Sequence, residues 1–197
     1  MKKSILTIAA IASAACALAA CNSSRGNSQS DEYQKLNDML NASYSKIAIT
    51  VTDTFIEEGV TLKSEYTLNY SESEITVNYK VERFAQISLD SPATDVKTTY
   101  TGTATIKDGK VTGGEEVGLS ADIAETGLTF KKEYFENATV TGVFMQAEVS
   151  DTSAFLGSEV ESNDMTVYAE FLNVFFNIEI NYTQNKNKVK YEYVFTI

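Results

Sequence analysis

The sequence predicts a mainly β fold with minor α: a strongly curved antiparallel sheet or half-open barrel led by an N-terminal helix. Two observations carry this. After residue 46, apolar and polar residues alternate at period two over long stretches, with Gly, Asn and Asp turns between them. The composition agrees, with ten Phe and eleven Tyr among many Val, Ile and Thr, and a single Pro to interrupt strands.

The chain opens with Met1-Lys2-Lys3, an apolar run from Ile5 to Leu18, and then Leu18-Ala19-Ala20-Cys21. A positive start, a short apolar run and small residues before a cut site are the parts of an export signal. The tetrapeptide resembles the bacterial lipobox, whose cysteine is diacylated and becomes the mature N-terminus. The resemblance covers the first 21 residues and implies lipid on Cys21. Ser13-Ala14-Ala15-Cys16 is a poorer match, because Ser stands where Leu is preferred. The apolar run is shorter than the ~20 residues a spanning helix needs.

Three segments follow: a signal over residues 1–20, a lipidated Cys21 with a polar tether to residue 30, and one β-rich extracytoplasmic domain over 31–197. The expected location is the cell envelope, anchored to a bacterial membrane by lipid. Cys21 is the last cysteine, so the exported domain has no disulfide and must be held by a packed core. Asn-x-Ser/Thr triplets start at Asn22, Asn41, Asn69, Asn137 and Asn181, and behind a lipobox they reflect composition rather than glycosylation. Loss of Lys2 and Lys3 takes the formal net charge from −11 to −13. Such a surface repels phosphate backbones and disfavours nucleic-acid partners.

Within the domain, residues 31–43 read as a short amphipathic helix. Ser30 is placed to cap it, Asp31 and Glu32 suit its positive end, and Tyr33, Leu36, Met39 and Leu40 form one stripe. Ile47, Ile49, Val51 and Phe55 then alternate with Ala48, Thr50, Thr52 and Thr54. Glu57-Glu58-Gly59 turns the chain into Val60, Leu62, Tyr66, Leu68 and Tyr70, and Ile75, Val77, Tyr79 and Val81 repeat the pattern. One apolar and one wet face mark an antiparallel meander. After a loop around Pro92, strands are expected over 96–106 and 111–119 about Asp108-Gly109, a strong hairpin signal.

Residues 128–134 and 138–149 read as two more strands, and 149–157 as a single helical turn capped by Ser150 or Asp151 and stopped by Gly157. In 166–182 the alternation changes phase, which predicts either a bulge or two strand segments bent around a corner; a helix is the alternative, but Val, Ile, Phe and Tyr here favour strand. The chain closes on Val189, Tyr191, Tyr193, Phe195 and Ile197 after a turn at 185–187.

A helix followed by about eight to ten strands behind a lipobox looks like the lipoprotein-carrier half-barrels of the LolA and LppX/LprG type. That resemblance rests on element order and address. It implies a curved sheet that shelters acyl chains on its concave side.

The absence of His excludes Ser-His-Asp and Cys-His catalysis and most catalytic zinc sites. No Walker loop, GxGxxG, GxSxG or EF-hand loop is present, and no cofactor, metal or catalytic residue is assigned. Ser43-Tyr44-Ser45-Lys46 matches SxxK but lacks its KTG and SDN partners. Carboxylate hydrolysis needs only two acids at the right separation, and Glu57-Glu58, Glu115-Glu116 and Glu159 with Glu161 and Asp164 are the candidates. The last group also has the oxygen ligands of a calcium loop.

Two non-enzymatic readings remain. The apolar face of Ile49, Val51, Leu62, Tyr66, Leu68, Ile75, Val77 and Tyr79 lines a cavity for a lipid or other hydrophobic molecule. Alternatively that face is a closed core, and the protein is a structural or interaction lipoprotein whose envelope partners bind its surface.

Overall fold

The computed structural model describes residues 29–85, 95–141, 144–172 and 174–197. The expected signal, Cys21, most of the tether, Pro92 with its loop, and Asn173 lie outside the described residues.

Ten antiparallel strands form one open sheet: β1 Lys46–Phe55, β2 Val60–Tyr70, β3 Ile75–Ala85, β4 Asp95–Lys107, β5 Lys110–Thr112, β6 Phe135–Thr141, β7 Phe144–Val149, β8 Thr166–Leu172, β9 Phe175–Gln184 and β10 Asn187–Thr196. Their order is β5-β4-β3-β2-β1-β10-β9-β8-β7-β6. Two five-stranded meanders are thus joined where the first strand pairs the last, with Ile49 opposite Tyr193 and Val51 opposite Tyr191. The alternation sets the two faces. Ile49 pairs Tyr66, which pairs Tyr79, and Ile47 pairs Leu68, which pairs Val77, so the apolar phase of each strand meets that of the next. Thr50, Thr52, Lys63 and Glu65 occupy the other face, where Lys63 bridges Glu65 at 2.6 Å.

The inner face is covered by a helix and a long connection. Helix α1, Gln29–Leu40, buries Tyr33 and Leu36 from the expected stripe. It starts and stops earlier than expected, and Ser30 lies inside it. At its end the Asn41 side-chain amide and backbone N–H both donate to the Asn37 carbonyl, which closes the last turn. Because β5 and β6 stand at opposite edges, residues 113–134 must cross from one to the other. Val117, Leu119, Ile123, Leu128 and Phe130 of this segment pack into the core.

That segment departs from the expected strands. The stretch 111–119 is strand only to Thr112, because Gly113 and Gly114 take left-handed backbone angles (φ 85° and 82°) that end pairing before a 3-10 turn at Glu115–Val117. Residues 128–131 alternate as a strand would, yet Leu128 and Phe130 are buried without a ladder. The Thr129 amide donates to the Phe155 carbonyl, and Phe130 is bonded by Asn37. Between β7 and β8, α2 (Thr152–Leu156) is the expected single turn, with the Asp151 carboxylate accepting from the Ala154 amide and Gly157 at φ 64°. The ambiguous stretch from Thr166 is an antiparallel pair, β8 and β9, with Leu172 opposite Phe175.

Candidate binding face

All eight residues singled out for ligand binding share the inner face, but they differ in what covers them. Leu68 and Val77 have no accessible surface, and a side chain with none borders no space wide enough for water. Ile49 and Tyr79 are buried beside them, whereas Val51, Leu62, Tyr66 and Ile75 are only partly covered. Above Tyr79 sits the 113–118 connection, whose Glu116 carboxylate accepts the Tyr79 hydroxyl. This bond holds the Glu116 carboxyl below its usual range and pushes the Tyr79 hydroxyl up.

Cover runs out along the strands. On β3, exposure rises from Val77 through Tyr79 and Val81 to an exposed Arg83. On β4 it rises from buried Ala104 through Gly102 to Tyr100, which is 44% exposed, and Thr98. Register brings Val81 opposite Tyr100, and Arg83 opposite both Leu62 and Thr98. A bulge between Arg83 and Phe84 shifts the pairing next to this corner. Such bulges re-aim side chains at sheet rims.

Polar groups frame the open half. Asp53 pairs Leu62 on one side and Val189 on the other. Adjacent strands are ~4.8 Å apart, so the Asp53 and Arg83 backbones lie about 10 Å apart across Leu62. Partial burial raises the Asp53 carboxyl above its usual range. Tyr182, Tyr191 and Tyr193 stack beside it, with centroids 6.3 Å and 6.1 Å apart. Burial raises all three hydroxyls, and the negative charge of Asp53 adds to this for Tyr191 and Tyr182. The stack continues into Phe195 and Phe176, and Tyr44 tilts against Phe195 at 4.9 Å, its hydroxyl pushed up to about 12 by burial.

Asp53, Val81, Arg83 and Tyr100 were not among the expected site residues. The signal for three of them was phase: Asp53 continues Ile49 and Val51, and Val81 and Arg83 continue Val77 and Tyr79. A charge on an apolar phase marks where a strand leaves the core. Arg83 is also the sole arginine after Arg25.

The acidic candidates do not converge. Glu57 and Glu58 lie in an exposed turn, with Glu57 bridging Lys186 at 2.6 Å. Glu115 and Glu116 are exposed on the crossing connection. Glu159, Glu161 and Asp164 are exposed, and Asp164 Oδ1 accepts from Ser162 Oγ and the Thr183 amide, both at 2.7 Å. Those bonds hold the Asp164 carboxyl below its usual range. Among the described residues no three His, Cys, Asp or Glu side chains are grouped to hold a metal ion. A polar hollow of about 470 Å³ beside this loop is lined by Glu136, Glu148, Ser162 and Asp164 and opens broadly to solvent. Ser43 is exposed outside any helix and Lys46 begins β1, so the SxxK spacing does not lie on one helical turn.

Compared with protein-family profiles, curated proteins and solved structures, the chain matches none.

Proposed function

We propose that the chain is an exported protein, anchored to a bacterial membrane through lipid on Cys21, that holds a hydrophobic or amphiphilic molecule against the open half of its inner sheet face. One observation carries the binding reading: the inner face is capped over Leu68 and Val77, while Val51, Leu62, Tyr66, Val81 and Tyr100 keep accessible surface. An apolar surface framed by a few polar groups, here Asp53 and Arg83, suits an amphiphile. The anchor side agrees. Tyr33, near the start of α1, stacks on Phe135, which shares a register row with Val149 at the Asp53 end of the strands, whereas Tyr44 beyond the helix meets Phe195 at the other end. Helix α1 thus begins at the end of the strands where the face is open.

Native mass spectrometry of the protein purified as cells process it tests both parts. Expected are a mass shift for acyl chains on Cys21, lost in Cys21→Ser, and a separate hydrophobic adduct, lost in Leu62→Lys but kept in Thr52→Lys on the outer face. An unacylated protein refutes the anchor. Absence of any adduct, with no saturable uptake of a fluorescent fatty acid, refutes the binding face.

A second reading has its own observation. Leu172, Val174, Phe175, Val194 and Ile197 are each 36% or more exposed at the β8–β9 turn and the C-terminal end of β10, and the Ile197 amide donates to the Val174 carbonyl within this patch. Contiguous exposed apolar side chains suit an envelope protein partner. Cross-linking from Val174 in cells distinguishes this role, which needs no ligand.

A further inference from the structure

Among the described residues, most of the outer edge of β4 is left unpaired. Strand β5 pairs it only over Thr105–Lys107, and among the described residues no backbone pairs the outer side from Val96 to Gly102. Asp108 and Gly109 both have positive φ, and Lys107 faces Lys110 across this two-residue turn. In such hairpins the flanking pair exchanges both backbone bonds. Lys107 therefore turns its N–H and C=O toward β5, and counting back by twos, Thr101 and Thr99 turn theirs to that same outer side, where no described backbone meets them.

Natural edges are usually blunted by charge, proline or short length. This one has none of these over Thr98-Thr99-Tyr100-Thr101-Gly102-Thr103. The opposite edge, β6, is blunted: its register shifts between Glu136 and Thr139, and Asn137 has φ 50°.

We propose that the free edge of β4 pairs antiparallel with β4 of a second copy, about a two-fold axis near Thr99 and Thr101. Charge selects the occupant. The chain has 27 acidic against 16 basic residues, so most of its surface repels a second copy, yet no acid occurs from Val96 to Lys107. A two-fold requires a self-complementary patch. Thr-Tyr-Thr placed against itself meets only uncharged β-formers, and cross-strand Thr pairs are favourable. The pairing would also set Tyr100 and Arg83 of the two open corners on either side of the axis, so that two binding faces become one continuous surface. The dimer itself does not depend on ligand binding.

Sedimentation velocity of the protein, purified as cells process it, is the test. Expected is a dimer that becomes a monomer in Thr101→Lys, which puts a charge at the axis, and in Thr101→Pro, whose lost N–H faces outward and takes no ladder bond. Both variants should keep the parent far-UV spectrum. If proline disturbs that spectrum, Thr101→Lys decides alone. Single cysteines at Thr99 and Thr101, compared with the parent, should give a self-cross-linked dimer at one of them and none at Thr139 on β6. A monomer at every concentration, a dimer that survives Thr101→Lys, or an open-ended polymer overturns the proposal. Adduct retention by the Thr101→Lys monomer separates this result from the binding reading.

Discussion

The side-chain carboxamide of Asn37 is bonded at both ends to the backbone of Phe130: Nδ2 donates to the carbonyl at 2.6 Å and Oδ1 accepts from the amide at 2.8 Å. Asn37 thereby stands in for a neighbouring strand along a segment that has none, and it ties α1 to the crossing connection. Removing it leaves a backbone N–H and C=O beside a buried Phe130 without partners. Asn37→Ala is expected to destabilise by about 1–3 kcal/mol. Gln34→Ala, which breaks only an exposed bond to Asp38, should stay within about 0.5 kcal/mol. Urea midpoints of the two variants check the contrast, and equal midpoints would remove the clamp.

Leu68 and Leu62 belong to one strand phase but not to one environment. Leu68→Ala should lower stability by ~2–5 kcal/mol, because a fully buried side chain leaves a cavity. Leu62→Ala, already bordering solvent, should lower it less and reduce ligand uptake. Thr50→Ala on the outer face should change neither. Thermal denaturation with a fluorescent fatty-acid assay reads both effects, and similar small shifts at all three positions would overturn the strand phase.

Gly102 lies under the Tyr79 ring, across the β3–β4 pair. A Cβ there would overlap that ring, so the missing side chain is what lets Tyr79 reach Glu116. Gly102→Ala is expected to destabilise by about 1–3 kcal/mol through overpacking. Tyr79→Leu in the same chain should recover part of that loss, since it vacates the contested space. A double-mutant cycle measures the coupling, and strict additivity would refute it.

Much of this fold was legible because period two reports directly which face a residue occupies. From Ile47 to Val81 the phase read from sequence is the phase of the inner face. Where the reading failed, either partners remote in sequence or local backbone angles decided, and residues 138–149, expected as one strand, fall in the paired β6 and β7. Leu128 to Lys131 alternates like a strand, but Asn37 and Phe155 supply its backbone bonds. The stretch after Thr112 continues an apolar pattern that two left-handed glycines interrupt. Alternation likewise cannot say how far cover extends along a face: Leu68 and Leu62 share one phase, yet Leu68 is fully buried and Leu62 lies at the rim.

Asp53 gives the open half a pH signature with a definite sign. Its carboxyl is raised by partial burial, so the folded chain holds the proton more tightly than the unfolded chain, whose aspartates titrate near ~3.9. Over the interval between the unfolded and folded values the folded state binds more protons, and stability falls as pH rises. The contribution is complete below the unfolded value and lost above the folded one. Asp53→Asn should therefore raise stability at neutral pH and make no difference in strong acid. Because the Asp53 charge also raises Tyr182 and Tyr191, the variant should lower the alkaline midpoint of the tyrosine absorbance change. Denaturation midpoints across acid pH and a spectrophotometric tyrosine titration are the measurements. A variant less stable than the parent at neutral pH would show that the carboxylate is held by a favourable partner, and would remove Asp53 from the set of groups that burial alone perturbs.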